Sequence, residues 1–400
     1  MSDQPTVYII TNSYPEQKVM FSTYEFEFLL GNYNNFKILS FSSFKDEKLK
    51  NKGVVHLSLI EGIKEVFFPK KIKKFTTHLK MFRYIKSSTL IELGKNIYSY
   101  LLALSILRNF YITEKDLIFS YWLTRSSTIA FYLNKLINIR YVCQGHGSDI
   151  YIYPPQNIQN ILKDAKQVIT VANKNKQFLC EKYNIPEEKV KVFRLGVSND
   201  FYNEVLENQN TKLNKESKVR FITIARYEDV KGIDLLLEAI DILVENNDIT
   251  EGVKFIIYGD GKKYQYYRSY IKERELQNYI SLNKWIDRNK LSLELNKADA
   301  YILPSRSEGL PVVLMEACSA ALPIIATDVG SVSEIAIEGY NAILCDKPNA
   351  DAISKSIKRF LNLDEVNKEK LSYNSSELFK KDYSLEKNIK EKYDYISRIK

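Results

Sequence analysis

At 400 residues the chain is long enough for two or three domains, and a hydrophobic share of 45% is ample for packed cores and excludes a disordered polar chain. A net charge of +9 admits nucleic acid, an anionic membrane surface or an acidic substrate, but no nucleic-acid-binding motif accompanies it, so nucleic acid is not an expected partner. Cys143, Cys180, Cys318 and Cys345 are scattered without Cys-x-x-Cys spacing, which argues against a disulfide framework or a zinc site. The N-terminus lacks the pattern of a signal peptide. The longest uncharged apolar stretch, 96–107, is shorter than the roughly 20 residues of a membrane span, so a non-spanning, cytoplasmic protein is expected.

In chain order, β-segments are predicted at Thr6–Asn12, Phe36–Ser42, Val54–Leu59, Asp116–Tyr121, Arg140–Gln144, Gln167–Ala172 and Val190–Leu195. The first of these runs into Asn12-Ser13-Tyr14-Pro15, a turn without glycine. Between Pro69 and Lys86 there is no acid. Ile72, Phe75, Leu79, Phe82 and Ile85 recur there at helical spacing opposite a lysine-rich face. Such a helix either packs on the core with solvated lysines or lies on an anionic membrane. After the Arg140 strand comes Gln144-Gly145-His146-Gly147-Ser148-Asp149, where two glycines let backbone and imidazole approach a ligand. His56 and His78 have no such setting and are read as structural or surface residues.

Residues 196–218 are polar and aperiodic, as a linker would be. A second series of β-segments follows at Val219–Ala225, Val253–Tyr258, Tyr279–Asn283, Ala300–Leu303, Pro323–Thr327 and Ala342–Cys345, separated by helical patterns such as Gly232–Asn246 and Tyr264–Leu276. Strand and helix alternating in two blocks predict two doubly wound, mostly parallel sheets, each binding ligands at the carboxyl ends of its strands. Arg226 and Lys231, in the turn after Val219–Ala225, form a cation pair suited to a diphosphate beside a helix N-terminus. Tyr258-Gly259-Asp260-Gly261 and Trp285-Ile286 close the next two strands. The run Pro304-Ser305-Arg306-Ser307-Glu308-Gly309-Leu310-Pro311 then enters a helix holding Glu316. Two carboxylates around a Gly/Pro turn can accept hydrogen bonds from vicinal hydroxyls, and eight helical steps would span about 12 Å. Asp328-Val329-Gly330-Ser331 and Gly339-Tyr340-Asn341 are later turns, and Asn341 can adopt the left-handed conformation.

The block from Pro304 to Ala317 resembles the Glu-x7-Glu signature of retaining GT-B glycosyltransferases, family 4 (glycosyl transferases group 1). Arg226 to Gly232 resembles that family's Gly-Arg-x-x-x-x-Lys-Gly element, with Ala225 in place of the glycine, and Gly145–Asp149 resembles its His-Gly-x-Asp element. The resemblance covers most of the chain and is densest in the second half. It implies an N-terminal acceptor-side Rossmann-like domain over 1–195 and a donor-binding domain over 219–377. The two would face an interdomain cleft, with a helix at 378–400 crossing back to the first.

The resemblance implies a retaining, metal-independent transfer of a sugar from a nucleotide donor, a UDP-sugar favoured, to a hydroxyl of a glycan or lipid-linked acceptor. The expected catalytic residues are His146, Arg226, Lys231 and Glu308. Gly259, Gly261, Ile286, Gly309, Leu310, Pro311 and Glu316 would contact the donor, with Tyr14 and Asp149 on the acceptor side. No cofactor is expected, and the setting implied is bacterial surface polysaccharide or glycolipid synthesis at the inner face of the membrane. A GT-B epimerase or phosphorylase, or a non-catalytic sugar-nucleotide-binding homologue, is the alternative.

Overall fold

The structure, a computed structural model, describes residues 5–14, 20–41, 54–72, 75–85, 87, 89–209 and 219–399. Each β-segment expected from the sequence forms; Val54–Leu59 and Val190–Leu195 each lose their last three residues, and Arg140–Gln144 gains Gly145. The chain divides into two compact units, Met1–Phe193 with Ile389–Lys400, and Arg194–Asn388.

In the first unit the strands are β1 (Val7–Thr11), β2 (Phe36–Ser40), β3 (Val54–His56), β4 (Leu117–Ser120), β5 (Arg140–Gly145), β6 (Gln167–Thr170) and β7 (Val190–Val192). They pair in parallel in the order β3-β2-β1-β4-β5-β6-β7. Val7 lies opposite Phe36 on one side and Leu117 on the other, so the chain order reverses between β1 and β4. Every residue of β1 and β4 is buried, as a parallel sheet covered on both faces requires.

The second unit repeats the plan with β8 (Val219–Ile224), β9 (Val253–Tyr258), β10 (Ile280–Asn283), β11 (Ala300–Leu303), β12 (Ile324–Thr327) and β13 (Ala342–Cys345). Their order is β10-β9-β8-β11-β12-β13, again all parallel, with the reversal between β8 and β11. The amphipathic helix Ile233–Glu245 buries Ile233, Leu236, Leu237 and Ile240 against the sheet.

Several expectations change. Within 196–218, residues Asn199–Gln209 form a helix that buries Phe201 and Val205 in the second unit, so this part is no tether. Its two apolar anchors are four residues apart, too sparse a pattern to stand out in a polar sequence. The C-terminal segment is two helices, Glu365–Asp382 and Leu385–Ser397, broken at the buried Tyr383.

The basic stretch is not one amphipathic helix. Among its described residues only Phe75–Met81 is helical. Ile72, His78, Met81 and Ile85 face inward, while Leu79 and Phe82 are exposed. The register is set by His78, whose Nδ1 meets the Tyr100 hydroxyl at 2.6 Å. The apolar stretch at 96–107 belongs to a 20-residue helix, Leu90–Asn109, long and apolar enough to cross a membrane by length and composition alone. Its Ser99–Leu107 half is buried in the first unit's core. Gly62 of the helix Leu59–Phe67 packs on it so closely that a Cβ would lie 2.0 Å from the Leu101 carbonyl oxygen. All four cysteines are free thiols. Burial pushes Cys143 and Cys318 up to about 12 and Cys345 to about 11, which makes them inert core residues.

Candidate active site

In the second unit the residues of interest gather at the carboxyl ends of β8 and β11, where the strand order reverses and open α/β sheets leave a crevice. Lys231 follows β8 and Glu308 follows β11. Lys231 Nζ lies 2.7 Å from Glu308 Oε1, which also accepts from Ser305 Oγ at 2.6 Å. The Glu308 side chain is only 7% exposed, whereas Lys231 keeps 20% of its surface. Close backbone approach makes this possible. Gly232 (φ +63°) has no room for a Cβ, which would fall 2.0 Å from the Pro304 carbonyl oxygen. At Gly330 (φ +55°) a Cβ would fall 1.7 Å from the Glu308 carbonyl oxygen.

Arg306, whose role the sequence did not reveal, clamps the same two loops. Its guanidinium holds both Asp234 oxygens at 2.8 and 2.6 Å and the Asp229 carbonyl at 2.7 Å. Burial alone would raise the Asp234 carboxyl, but the bonds and charge of Arg306 hold it below the ordinary range. The only sequence signal for this clamp was an acid in the first turn of Ile233–Glu245.

Arg226 opens the turn that carries Lys231. Its side chain is 62% exposed and pairs with Glu228 at 3.1 Å. Such a surface pair is weak enough for a ligand to displace. Gly259 and Gly261 bring the β9 turn onto the β8 turn, since a Cβ on either would strike the Ala225 or Tyr227 carbonyl oxygen. Ile286 is buried beside the exposed Trp285.

Gly309 and Leu310 are half-buried and lead through the buried Pro311 into the helix Val312–Ser319, which has no side-chain cap. Leu314 N–H bonds the Pro311 carbonyl at 3.1 Å, and the two N–H groups before it lie at the helix end that suits an anion or a hydroxyl. Glu316 keeps some solvent contact, yet the protein packed around it pushes its carboxyl up to about 7, an effect Arg288 partly offsets. Tyr301, beneath both glutamates, is fixed by Ile224, whose N–H donates to its hydroxyl at 3.0 Å and whose carbonyl accepts from it at 2.9 Å. Asn341 is not left-handed. Its Oδ1 accepts from Ile337 N and its Nδ2 donates to Ile335 O, which fastens the turn instead, while Gly339 takes the positive φ.

In the first unit the His146 loop closes β5. The His146 ring is buried, 4.2 Å from Trp122 and 5.1 Å from Tyr121 centroid to centroid, and its Nε2 lies 2.7 Å from Gln144 Nε2. Asp149 does not reach outward. Its carboxylate accepts the N–H groups of Leu123, His146 and Gly147 at 3.1, 2.9 and 2.8 Å, and it is 4% exposed. Burial would raise it, but His146 and these N–H groups hold it low. Asp149 therefore positions the loop rather than an acceptor. Tyr14 is likewise a core residue, 1% exposed and edge-on to Phe26 at 5.2 Å, and burial followed by Glu27 pushes its hydroxyl up to about 12. Pro15 lies outside the described residues.

Beneath the loop Lys392 of the last helix is wholly buried, paired with Glu25 and donating to Gln144 Oε1 at 3.2 Å. Burial lowers its ammonium and Glu25 opposes that shift. The cavity lined by Asn138, Arg140, Lys163 and Lys189 sits at the amino ends of β5 to β7, the wrong edge for a ligand in this fold. Among the described residues no three His, Cys, Asp or Glu side chains converge as metal ligands do.

Two doubly wound parallel sheets with loops of this kind define the GT-B class of glycosyltransferase fold. The same fold occurs in the Anabaena protein HepE solved with UDP-glucose, at a TM-score of 0.65 and 13% identity over 98% of this chain and 99% of that one. Residues 205–377 match the family model of glycosyl transferases group 1. The chain is 27% identical over 361 residues to an uncharacterised glycosyltransferase of Methanocaldococcus jannaschii, covering 88% of this chain and 87% of that one. It is 25% identical over 180 residues to the amylovoran biosynthesis glycosyltransferase AmsK of Erwinia amylovora, covering 44% and 42%. The group 1 match over 205–377, the relative that is similar over most of its length and the GT-B fold all agree with the resemblance read from the sequence.

Proposed function

We propose that the protein is a retaining, family 4 transferase that takes a sugar from a nucleoside diphosphate, UDP favoured, to a hydroxyl of a glycan or lipid-linked acceptor. The observation that carries this reading is the Lys231–Glu308 pair at the β8/β11 reversal, beside the uncapped helix Val312–Ser319. A departing diphosphate develops charge, and a preorganised ammonium next to open helix N–H groups stabilises it. Arg226 would swing from Glu228 to grip the same phosphates bidentately. Glu308 would then accept from sugar hydroxyls and Glu316 from the ribose. With cations in the loop supplying the charge, transfer would proceed without a divalent metal.

The relative acting in amylovoran biosynthesis supports a surface polysaccharide or glycolipid setting, and the UDP-glucose complex of HepE supports the donor class. The test is direct. Lys231→Ala should lower turnover with the cognate UDP-sugar on the order of 100-fold, and the product should keep the donor's anomeric configuration by NMR. An inverted product would end the family 4 reading, and an unchanged turnover would end the role of Lys231.

The inner face of a membrane is the proposed location. The helix Leu59–Phe67 turns Glu65 inward, where it accepts the N–H groups of Lys70, Lys71 and Ile72 and a bond from Arg108. Ile60, Ile63, Phe67 and Phe68 are left exposed, the last two at 72% and 74%, next to Lys70 and Lys71. Exposed aromatics beside lysines suit an interface of acyl chains and anionic headgroups.

A further inference from the structure

The buried chain Glu25, Lys392, Gln144, His146 has a direction that hydrogen-bond chemistry fixes. An ammonium can only donate, so the Gln144 atom facing Lys392 at 3.2 Å is the carbonyl oxygen Oε1. The other end of that amide is then NH₂, also purely a donor, and it lies 2.7 Å from His146 Nε2. A short contact to a donor requires Nε2 to be the lone-pair nitrogen, which leaves the ring hydrogen on Nδ1, on the side of Asp149 Oδ2 at 3.8 Å. Turning the amide over would set its NH₂ against the buried ammonium. Lys392 cannot move away, because it is ion-paired to Glu25 and lies over the rings of Tyr121 and Tyr393 at 5.4 and 5.2 Å. Glu25 is itself held by the Tyr121 hydroxyl at 2.6 Å.

We infer that Lys392 and Gln144 are positioning residues that keep His146 in its Nδ1–H tautomer, with Nε2 occupied by the Gln144 amide. The ring hydrogen then points towards Asp149, and the ring is locked in one orientation between Gln144 and Asp149. The relevance of this to transfer rests on the function proposed above, whereas the tautomer itself does not.

The chain has three histidines, so ¹⁵N-histidine NMR of the whole protein resolves them, with His146→Asn assigning the signal. Wild type should show a protonated Nδ1 and a bare Nε2. Gln144→Glu should place a hydrogen on Nε2, because the carboxylate accepts from both Lys392 and the ring. Lys392→Met should give mixed tautomers, and Lys392→Arg should keep the wild-type one. A bare Nδ1 in wild type, or a Gln144→Glu spectrum identical to wild type, overturns the inference. Both measurements stand even if Lys392→Met does not fold. For the reaction, Gln144→Glu should lower kcat at least tenfold with little change in donor KM. Altered tautomers with unchanged kcat would remove the positioning role. If the transferase reading itself were wrong, no form would bind UDP-sugars, yet the tautomer signals would be as described.

Discussion

Gly330→Ala tests how the Glu308 carboxylate is placed. The new Cβ would sit 1.7 Å from the Glu308 carbonyl oxygen and 2.8 Å from its carbon, distances that real Cβ atoms do not show. One backbone has to retreat by more than about 1 Å, and a shift of that size at a reacting centre costs about 100-fold in rate. Glu308 Oε1 is held at 2.7 Å by Lys231 and 2.6 Å by Ser305, so a retreat of the Glu308 backbone pulls on both bonds. In stability, the left-handed conformation costs an alanine about 1–2 kcal/mol and overpacking adds about 1–3 kcal/mol.

Gly339→Ala is the matched control. Its φ is +70°, but nothing lies within 4 Å of its Cβ position, so it carries the conformational cost alone. Melting curves and steady-state transfer on both variants separate the effects. Gly330→Ala should melt lower than Gly339→Ala and lose turnover by about two orders of magnitude, while Gly339→Ala keeps wild-type turnover. Equal turnover in the two would refute the argument that the Gly330 contact places Glu308.

With its pKa near 7, Glu316 passes from about one-tenth to about nine-tenths ionised between pH 6 and pH 8. If the ribose hydroxyls donate to the carboxylate, affinity for a UDP-sugar, whose phosphates do not titrate there, should rise about tenfold over that range by calorimetry, and Glu316→Gln should flatten the curve. The same shift lowers stability as pH rises from the ordinary carboxylate range towards 7, because the native state holds a proton the unfolded chain has released. Transfer should survive excess EDTA, and a loss restored by one divalent ion would move the leaving-group role from Lys231 to a metal. Phe67→Ser/Phe68→Ser should weaken binding to anionic vesicles while UDP-sugar binding is unchanged, and Lys70→Glu/Lys71→Glu should weaken it most at low salt. Wild type that ignores anionic vesicles would sink the membrane assignment.

The strands were legible because buried parallel strands are short apolar runs between polar turns, and β1, β4, β11 and β12 are buried at every residue. Lys231 and Glu308 stood out because their turns carry several constrained residue types in a row, and the structure brings the two side chains together. What failed was the destination of single side chains. Tyr14 reads as a loop residue until Phe26 covers it, and Asp149 reads as exposed until Leu123, 26 residues upstream, donates to it. The exposed stripe of Leu59–Phe67 was missed because its periodicity is that of any amphipathic helix, and only the inward Glu65 with Arg108 shows which face is outside. Gln144 and Lys392 stand 248 residues apart, beyond any local pattern.

That separation bears on how the chain matures. The first unit is closed by residues from the far end of the sequence: Tyr393 wedges edge-on against Phe36 and Phe119, Phe193 meets Tyr395, and Arg140 bonds the Ile399 carbonyl. Until those residues leave the ribosome, Glu25 has no counter-ion and the His146 loop no floor. The N-terminal unit, although synthesised first, therefore cannot finish folding until the C-terminal one has been synthesised, contrary to the usual order. Loss of the last dozen residues would damage the opposite end of the sequence, the histidine loop included.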